Sequence, residues 1–251
     1  MTTTRPGRLY AGTSGFAYAA WAPRFYPSGL RADQLLAAYA ARLTACEINN
    51  TFYRWPTEDR IRAWVADTPE TFRFSIKAQR ASSMRAIGTP KGRSTDPAGQ
   101  VARLVAPLGA FSGRLGTVLF RVPEEIQRAD ERLAAFLAAW PPAIPLTVEL
   151  QHESWAADET FNALRDHGAA LCATELPEDD LPPTLRLTGP FLYVRLRRHD
   201  YSAGELAAWA TRLAPFLADG KDVFTFFRHD PVGRGAELAQ ALEAEVGRLA
   251  G

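Results

Sequence analysis

At 251 residues the chain can bury a large core without disulfide or metal staples, and its length is close to the roughly 250 residues of one eight-stranded α/β barrel. Lys and Arg total 29 against 28 Asp and Glu, so a formal charge of +1 gives no bulk pull toward a polyanion. Only two cysteines occur, Cys46 and Cys172, both inside apolar runs; they exclude a disulfide framework and read as small core residues of a reducing compartment. No window approaches the ~18 apolar residues of a membrane span, and the N-terminus carries no signal-like apolar run. A soluble, cytoplasmic protein with no membrane partner is the expectation.

The first strand-like run is Leu9 to Ser14, followed by the rings Phe16, Tyr18, Trp21, Phe25 and Tyr26. Arg31 to Leu43 has Leu35, Leu36, Tyr39 and Leu43 at helical spacing. Ala45 to Phe52 alternates, with Ile48 and Phe52 opposed to Glu47, Asn49 and Thr51. Thr57 is placed to cap a helix carrying Ile61 and Trp64. Phe72 to Ala78 sets Phe74 and Ile76 against Ser75 and Lys77. Arg80 to Gly99 is a long polar stretch holding Arg80, Arg85, Lys91, Arg93 and Asp96; it reads as a surface loop before a helix, or as a lid.

A helix over Pro97 to Val105 leads to the strand Thr117 to Val122, which carries Arg121. Helix Ala129 to Trp140 precedes strand Leu146 to His152, with Glu149 and Gln151 on its polar side. Helix Asp158 to Asp166 ends before Gly168, with His167 as its capping residue. Strand Ala169 to Glu175 is followed by the Pro- and acid-rich stretch Leu176 to Gly189, an irregular connection where a sixth helix would stand. Strand Phe191 to Leu196 presents Tyr193 and Arg195, with Arg197 next in phase. Helix Ser202 to Leu217, strand Val223 to Phe227 and helix Arg234 to Leu249 complete the chain.

Eight strands alternating with about seven helices predict one (β/α)8 TIM-type barrel over residues 1–251, with an irregular or missing sixth helix. A doubly wound open sheet would call for a Gly-rich phosphate loop, which is absent. In a barrel the apolar strand faces meet the helices and the polar faces look inward. The active site lies at the C-terminal strand ends. Those ends bring Glu47, Asn49, Thr51, Lys77, Arg121, Glu149, Gln151, Glu175, Arg195, Arg197, Arg228, His229 and Asp230 to one mouth. Such a cluster is either a structural ion-pair network or a functional site with perturbed pKa values.

As a functional site, Glu149 is the first candidate for acid–base work and Glu47 the second, one carboxyl ionised and the other held protonated by desolvation. Arg121, Arg195 and Arg197 would hold an anion such as phosphate. Lys77 would do the same or serve as an amine nucleophile, including through a Schiff base. Asn49, Thr51, Tyr53, Gln151, His152, Trp155, Tyr193 and Asp230 complete the expected substrate contacts. No cofactor is implied. A divalent metal is weakly signalled by His152 and His229 beside Glu149 and Asp230, because no H-x-x-x-H or C-x-x-C spacing exists. No G-x-S-x-G elbow supports Ser–His–Asp chemistry. The rings Tyr53, Trp55, Trp155, Tyr201 and Trp209, with those after the first strand, make either a packed cover or a stacking platform for a base or sugar.

Gly12-Thr13-Ser14-Gly15-Phe16 with Tyr18, Trp21 and Phe25-Tyr26-Pro27 resembles the opening motif of the YecE-like family, domain of unknown function 72. Glu47-Ile48-Asn49, then Thr51-Phe52-Tyr53-Arg54 and Pro56, resembles its second motif. Phe72 to Ala78, Val148-Glu149 with His152 and Ser154-Trp155, and Tyr193-Val194-Arg195 continue the likeness. It spans about residues 8 to 245 and implies a (β/α)8 barrel but no reaction. The family pattern leads one to expect Gln at Arg121, Arg at Gln151, Asp at Glu175, His at Arg197, and Asn at Arg228 and His229. It also leads one to expect a Thr-His pair in the Arg80 to Gly99 stretch. These departures make the mouth more basic. The leading expectation is therefore an enzyme acting on an anionic, phosphate-bearing small molecule by hydrolysis, isomerisation or lyase chemistry. A nucleic-acid-binding or processing protein, and a non-catalytic protein with a structural ion-pair network, are the alternatives; no feature fixes an oligomeric state.

Overall fold

The computed structural model describes residues 5–52, 55–87 and 97–250. Its strands are β1 (Leu9–Ser14), β2 (Ala45–Ile48), β3 (Arg73–Lys77), β4 (Leu115–Val122), β5 (Leu146–Leu150), β6 (Ala170–Glu175), β7 (Phe191–Leu196) and β8 (Asp222–Phe227). All neighbours pair in parallel and β8 returns to β1, which closes the barrel. The helices are α1 (Leu35–Ala40), α2 (Glu58–Ala66), α3 (Arg80–Ala86), α4 (Pro97–Val105), α5 (Asp130–Ala139), α6 (Asp158–Asp166), α7 (Ala203–Ala218) and α8 (Arg234–Ala250). Among the described residues no helix is long and apolar enough to cross a membrane.

Strand alternation divides the core in two. Ile48, Phe74, Ile76, Val118, Phe120, Val148, Val194 and Phe227 pack outward with Tyr39, Ile61, Trp64, Phe136, Leu213 and Leu242 of the helices. Tyr10, Ala45, Leu119, Cys172, Phe191, Tyr193, Phe224 and Phe226 form a separate cluster inside the barrel. Phe224 stacks on Tyr10 at 4.9 Å and meets Phe191 edge-on at 5.2 Å. These rings stand near the N-terminal ends of β1, β7 and β8, so the barrel floor is aromatic. Hydroxyls follow above it, where Thr117 and Thr147 lie 2.9 Å apart and Ser75 meets Tyr193 at 2.7 Å. Charges occupy the C-terminal end.

Caps set several helix starts. Thr57 Oγ1 accepts from the Arg60 amide, and Ser202 with Glu205 forms a reciprocal capping box at α7. The connection from β6 to β7 has no helix, in keeping with Pro177, Pro182, Pro183 and Pro190. Thr188 from that connection accepts from the Leu171 amide and donates to the Ala169 carbonyl, both at 2.8 Å, and so ties it to β6.

Three expectations change. The stretch Arg80 to Gly99 is not one loop: it begins as α3 and ends inside α4, while residues 88–96, with Lys91, Arg93 and Asp96, lie outside the described residues. β2 ends at Ile48 rather than Phe52, because Thr51 Oγ1 reaches the Ile48 and Lys77 carbonyls at 2.7 and 2.8 Å and turns the chain. β5 ends at Leu150, because His152 caps a short turn over Glu153–Trp155.

Tyr39 of α1 joins the first two strands, accepting from the Thr13 amide at 2.8 Å and donating to the Ala45 carbonyl at 3.0 Å. Gly12 leaves the room for this. A Cβ there would stand 1.8 Å from the Ala45 carbonyl oxygen and 2.8 Å from the Tyr39 hydroxyl. Gly12→Ala is expected to destabilise the protein by about 3 kcal/mol or more in urea unfolding, because backbone must move to admit the methyl. A loss under about 1 kcal/mol would show that this seam is loose.

Candidate functional site

The charged level of the barrel is organised by Arg195 of β7. Its Nη1 donates to both oxygens of Glu149 at 3.0 and 2.9 Å, and its Nη2 donates to Glu47 Oε1 at 2.9 Å. All three side chains are buried. The remaining carboxylate lone pairs are met as well. Ser14 Oγ donates to Glu47 Oε1 at 2.9 Å, Tyr193 Oη to Glu47 Oε2 at 2.8 Å, and Thr174 Oγ1 to Glu149 Oε1 at 2.7 Å. Burial alone would raise the Glu47 carboxyl, but Arg195, Lys77 and Arg197 outweigh it and hold it at about 2. Glu149 is likewise lowered against its burial, by Arg195, Thr174 and Arg121. Both acids are therefore ionised. The expected division into one ionised and one protonated carboxyl is not what forms, because one guanidinium serves both.

Above this triad lies a cavity of about 320 Å³ lined by Lys77, Arg121, Glu149, Gln151, Thr174, Arg195, Arg197, Arg228 and His229, with Leu176 and Pro177 at its edge. Arg197 Nη1 donates to Ser14 Oγ at 3.0 Å, which links the cavity wall to Glu47. Arg121 Nε forms an ion pair with Glu149 Oε2 at 3.5 Å, beyond good hydrogen-bond length, and has no hydrogen-bond partner among the described residues. Burial and then Arg195 lower the Lys77 amine to about 8, with Glu47 and Glu149 opposing. Burial, Arg197 and Arg228 push His229 below its ordinary value.

The family model for the protein of unknown function DUF72 matches residues 10–250. The chain belongs to the DUF72 family. It is 23% identical to the UPF0759 protein YunF of Bacillus subtilis over 260 residues, covering 90% of this chain and 92% of that protein. A DUF72 crystal structure from Thermotoga maritima superposes with a TM-score of 0.78 at 24% identity, covering 97% of this chain and 99% of the other. One from Enterococcus faecalis gives 0.74 at 18%, covering 95% of each. At these identities the structures establish the shared barrel.

In this DUF72 barrel, five of the six strand-end positions expected to differ from the family pattern line the cavity: Arg121, Gln151, Arg197, Arg228 and His229. Glu175 does not. On β6, Thr174 takes the inward position, so Glu175 faces the other way and accepts from Tyr201 Oη at 2.6 Å. Its place among the inner charges is corrected by strand parity. Ser14 and Thr174 join the site beyond the residues placed at the mouth from sequence. Alternation along β1 and β6 was the signal for the two hydroxyls.

Several expected substrate contacts have structural partners instead. Thr51 is spent on the turn after β2. Trp155 is buried and donates to the Ile126 carbonyl at 2.9 Å. Tyr193 is buried beneath Glu47. His152 Nδ1 accepts from the Ser154 amide at 3.1 Å. Asp230 accepts from the amides of Val232, Arg234 and Gly235 and so caps the start of α8. Asn49 lies in a neighbouring recess with Phe16 and Tyr18, and Tyr53 lies outside the described residues. With His152 and Asp230 so engaged, the mixed metal site is not assembled; among the described residues no group of three His, Cys, Asp or Glu could hold an ion. Trp21, Phe25, Tyr26, Trp155, Tyr201 and Trp209 are buried, so they form packing rather than a stacking platform. Tyr18 instead stacks on His229 at 5.1 Å beside the cavity.

Glu47→Gln should cost about 3–5 kcal/mol at neutral pH, the penalty for breaking one arm of a buried ion pair. The depressed Glu47 pKa contributes stability that is complete above the ordinary carboxylate value and is lost as pH falls toward about 2. The gap between wild type and variant should therefore narrow over that interval in urea unfolding; a constant gap would contradict the assigned charge. Asp230→Ala should lose about 1–2 kcal/mol of stability as a helix cap while leaving ligand affinity at the mouth unchanged in titration calorimetry.

Proposed function

We propose that the mouth binds a compact anionic small molecule, a phosphate-bearing metabolite by class, and that the protein is an enzyme acting on it. One observation carries this reading. Five cationic side chains, Lys77, Arg121, Arg195, Arg197 and Arg228, line a cavity whose only carboxylates among the described residues are Glu149 at the wall and Glu47 beneath. Arg195 already neutralises that pair in part, so the remaining positive charge is in excess. Like charges crowded into a partly buried cleft repel one another, and an anionic ligand would relieve that cost. The guanidinium forks suit phosphate or carboxylate oxygens.

The cavity volume, at the lower end of the range for small-molecule sites, suits a metabolite rather than an extended polymer. Single-stranded nucleic acid binds through exposed rings as well as cations, and most rings near this mouth are buried. Glu149 and Glu47, both ionised, serve as charge partners and proton acceptors rather than as proton donors. At the cavity Lys77 is lowered to about 8, toward neutrality, and His229 is held below its ordinary value.

Inorganic phosphate should raise the melting temperature of the wild-type protein by mass action, whereas a neutral sugar should not. Arg197→Ala and Arg228→Ala should each weaken phosphate about tenfold or more, the loss of one charge-assisted hydrogen bond. Equal phosphate affinity in wild type and both variants would move the anion elsewhere on the molecule.

A further inference from the structure

We infer that Lys77 is an imine-forming amine and that the mouth takes a small carbonyl compound bearing an anionic group. This rests on the anion-binding reading above and adds the substrate's second functional group. Lys77 ends β3 at the cavity, where it shares the wall with Arg121, Arg195, Arg197, Arg228 and Glu149. The composition makes the choice of lysine notable. Of 29 cationic residues, 26 are arginine and only Lys77, Lys91 and Lys221 are lysine. For holding an anion the guanidinium fork is at least as good as an ammonium. An arginine cannot act as an amine nucleophile, so a lysine among four arginines is chemically distinct.

Two features activate an amine for this role, desolvation and a neighbouring cation. Lys77 has both, being largely buried and beside Arg195. An amine at about 8 rather than the ordinary 10.5 carries roughly three hundredfold more neutral nucleophile near neutral pH. Glu47 and Glu149 keep the value from falling further and would stabilise a protonated imine once formed. The remaining arginines would hold the anionic group.

The step balances without a co-reactant. The neutral Lys77 amine adds its lone pair to the carbonyl carbon, and a C–N bond forms as the C=O π bond opens. Protons from nitrogen pass to the oxygen, which leaves as water when the C–O bond breaks. The product is an imine, protonated to an iminium that withdraws electrons from the adjacent carbon. No atom is oxidised or reduced.

The test uses the full chain with glycolaldehyde phosphate and sodium cyanoborohydride near neutral pH, read by peptide mass mapping. The expected result is a reduced adduct on Lys77 that forms at least about tenfold faster than on Lys91 or Lys221. Excess inorganic phosphate should suppress it, and Lys77→Arg should lose it while keeping the slow background on Lys221. Absence of a Lys77 adduct, or even labelling of all three lysines, overturns the inference. If phosphate still raises the melting temperature in that case, anion binding stands and only the imine role falls. If neutral glycolaldehyde labels Lys77 as fast as its phosphate and phosphate does not protect, the anionic substrate class falls with the earlier reading. The wild-type labelling pattern decides the matter even if Lys77→Arg fails to fold.

Discussion

One buried guanidinium sets the terms for the rest of this barrel. Arg195 lies between Glu47 of β2 and Glu149 of β5, and all three are removed from water. Each buried ion costs several kcal/mol in desolvation, recovered only if the partners meet in good geometry and the spare lone pairs are bonded. Ser14, Ser75, Thr174 and Tyr193 meet that demand, directly or through one another. The network thus links β1, β2, β3, β5, β6 and β7 at one level. A change in strand stagger would separate charges that have no water to fall back on, so the polar layer specifies closure as well as site.

The interior is graded because a closed barrel has no other place for its inward side chains. Rings fill the floor, hydroxyls the middle, and charges the C-terminal end, where the buried triad of Arg195, Glu47 and Glu149 lies beneath the partly exposed Lys77, Arg121, Arg197 and Arg228. The gradient is seen along β7, whose inward phase runs from Phe191 through Tyr193 to Arg195. It also explains the outward turn of Glu175, which bonds Tyr201 rather than joining the mouth.

Electrostatics then sort the groups by role. Carboxylates sharing Arg195 remain ionised well below neutrality, which removes them as proton donors. Burial, reinforced by neighbouring arginines, pushes Lys77 down toward neutrality and His229 below its ordinary value. An amine and an imidazole with lowered proton affinity thus stand above the buried ion triad.

Much of this was legible in the residues themselves. Period-two alternation marked five of the strands, and it placed Glu47, Lys77, Arg121, Glu149 and Arg195 on the inner side, because side-chain direction in a strand is a local property. Capping chemistry marked the start of α2 for the same reason. What the chain order could not express was which partner each polar group would take. Thr51, Trp155, His152 and Asp230 all stand near strand ends, yet each is bonded to backbone in its own loop or a neighbouring one, a choice made by turns that shorten β2 and β5. The single guanidinium that serves both acids spans residues 148 apart in sequence. The ionisation state of the site follows from that contact, so only barrel closure could decide it.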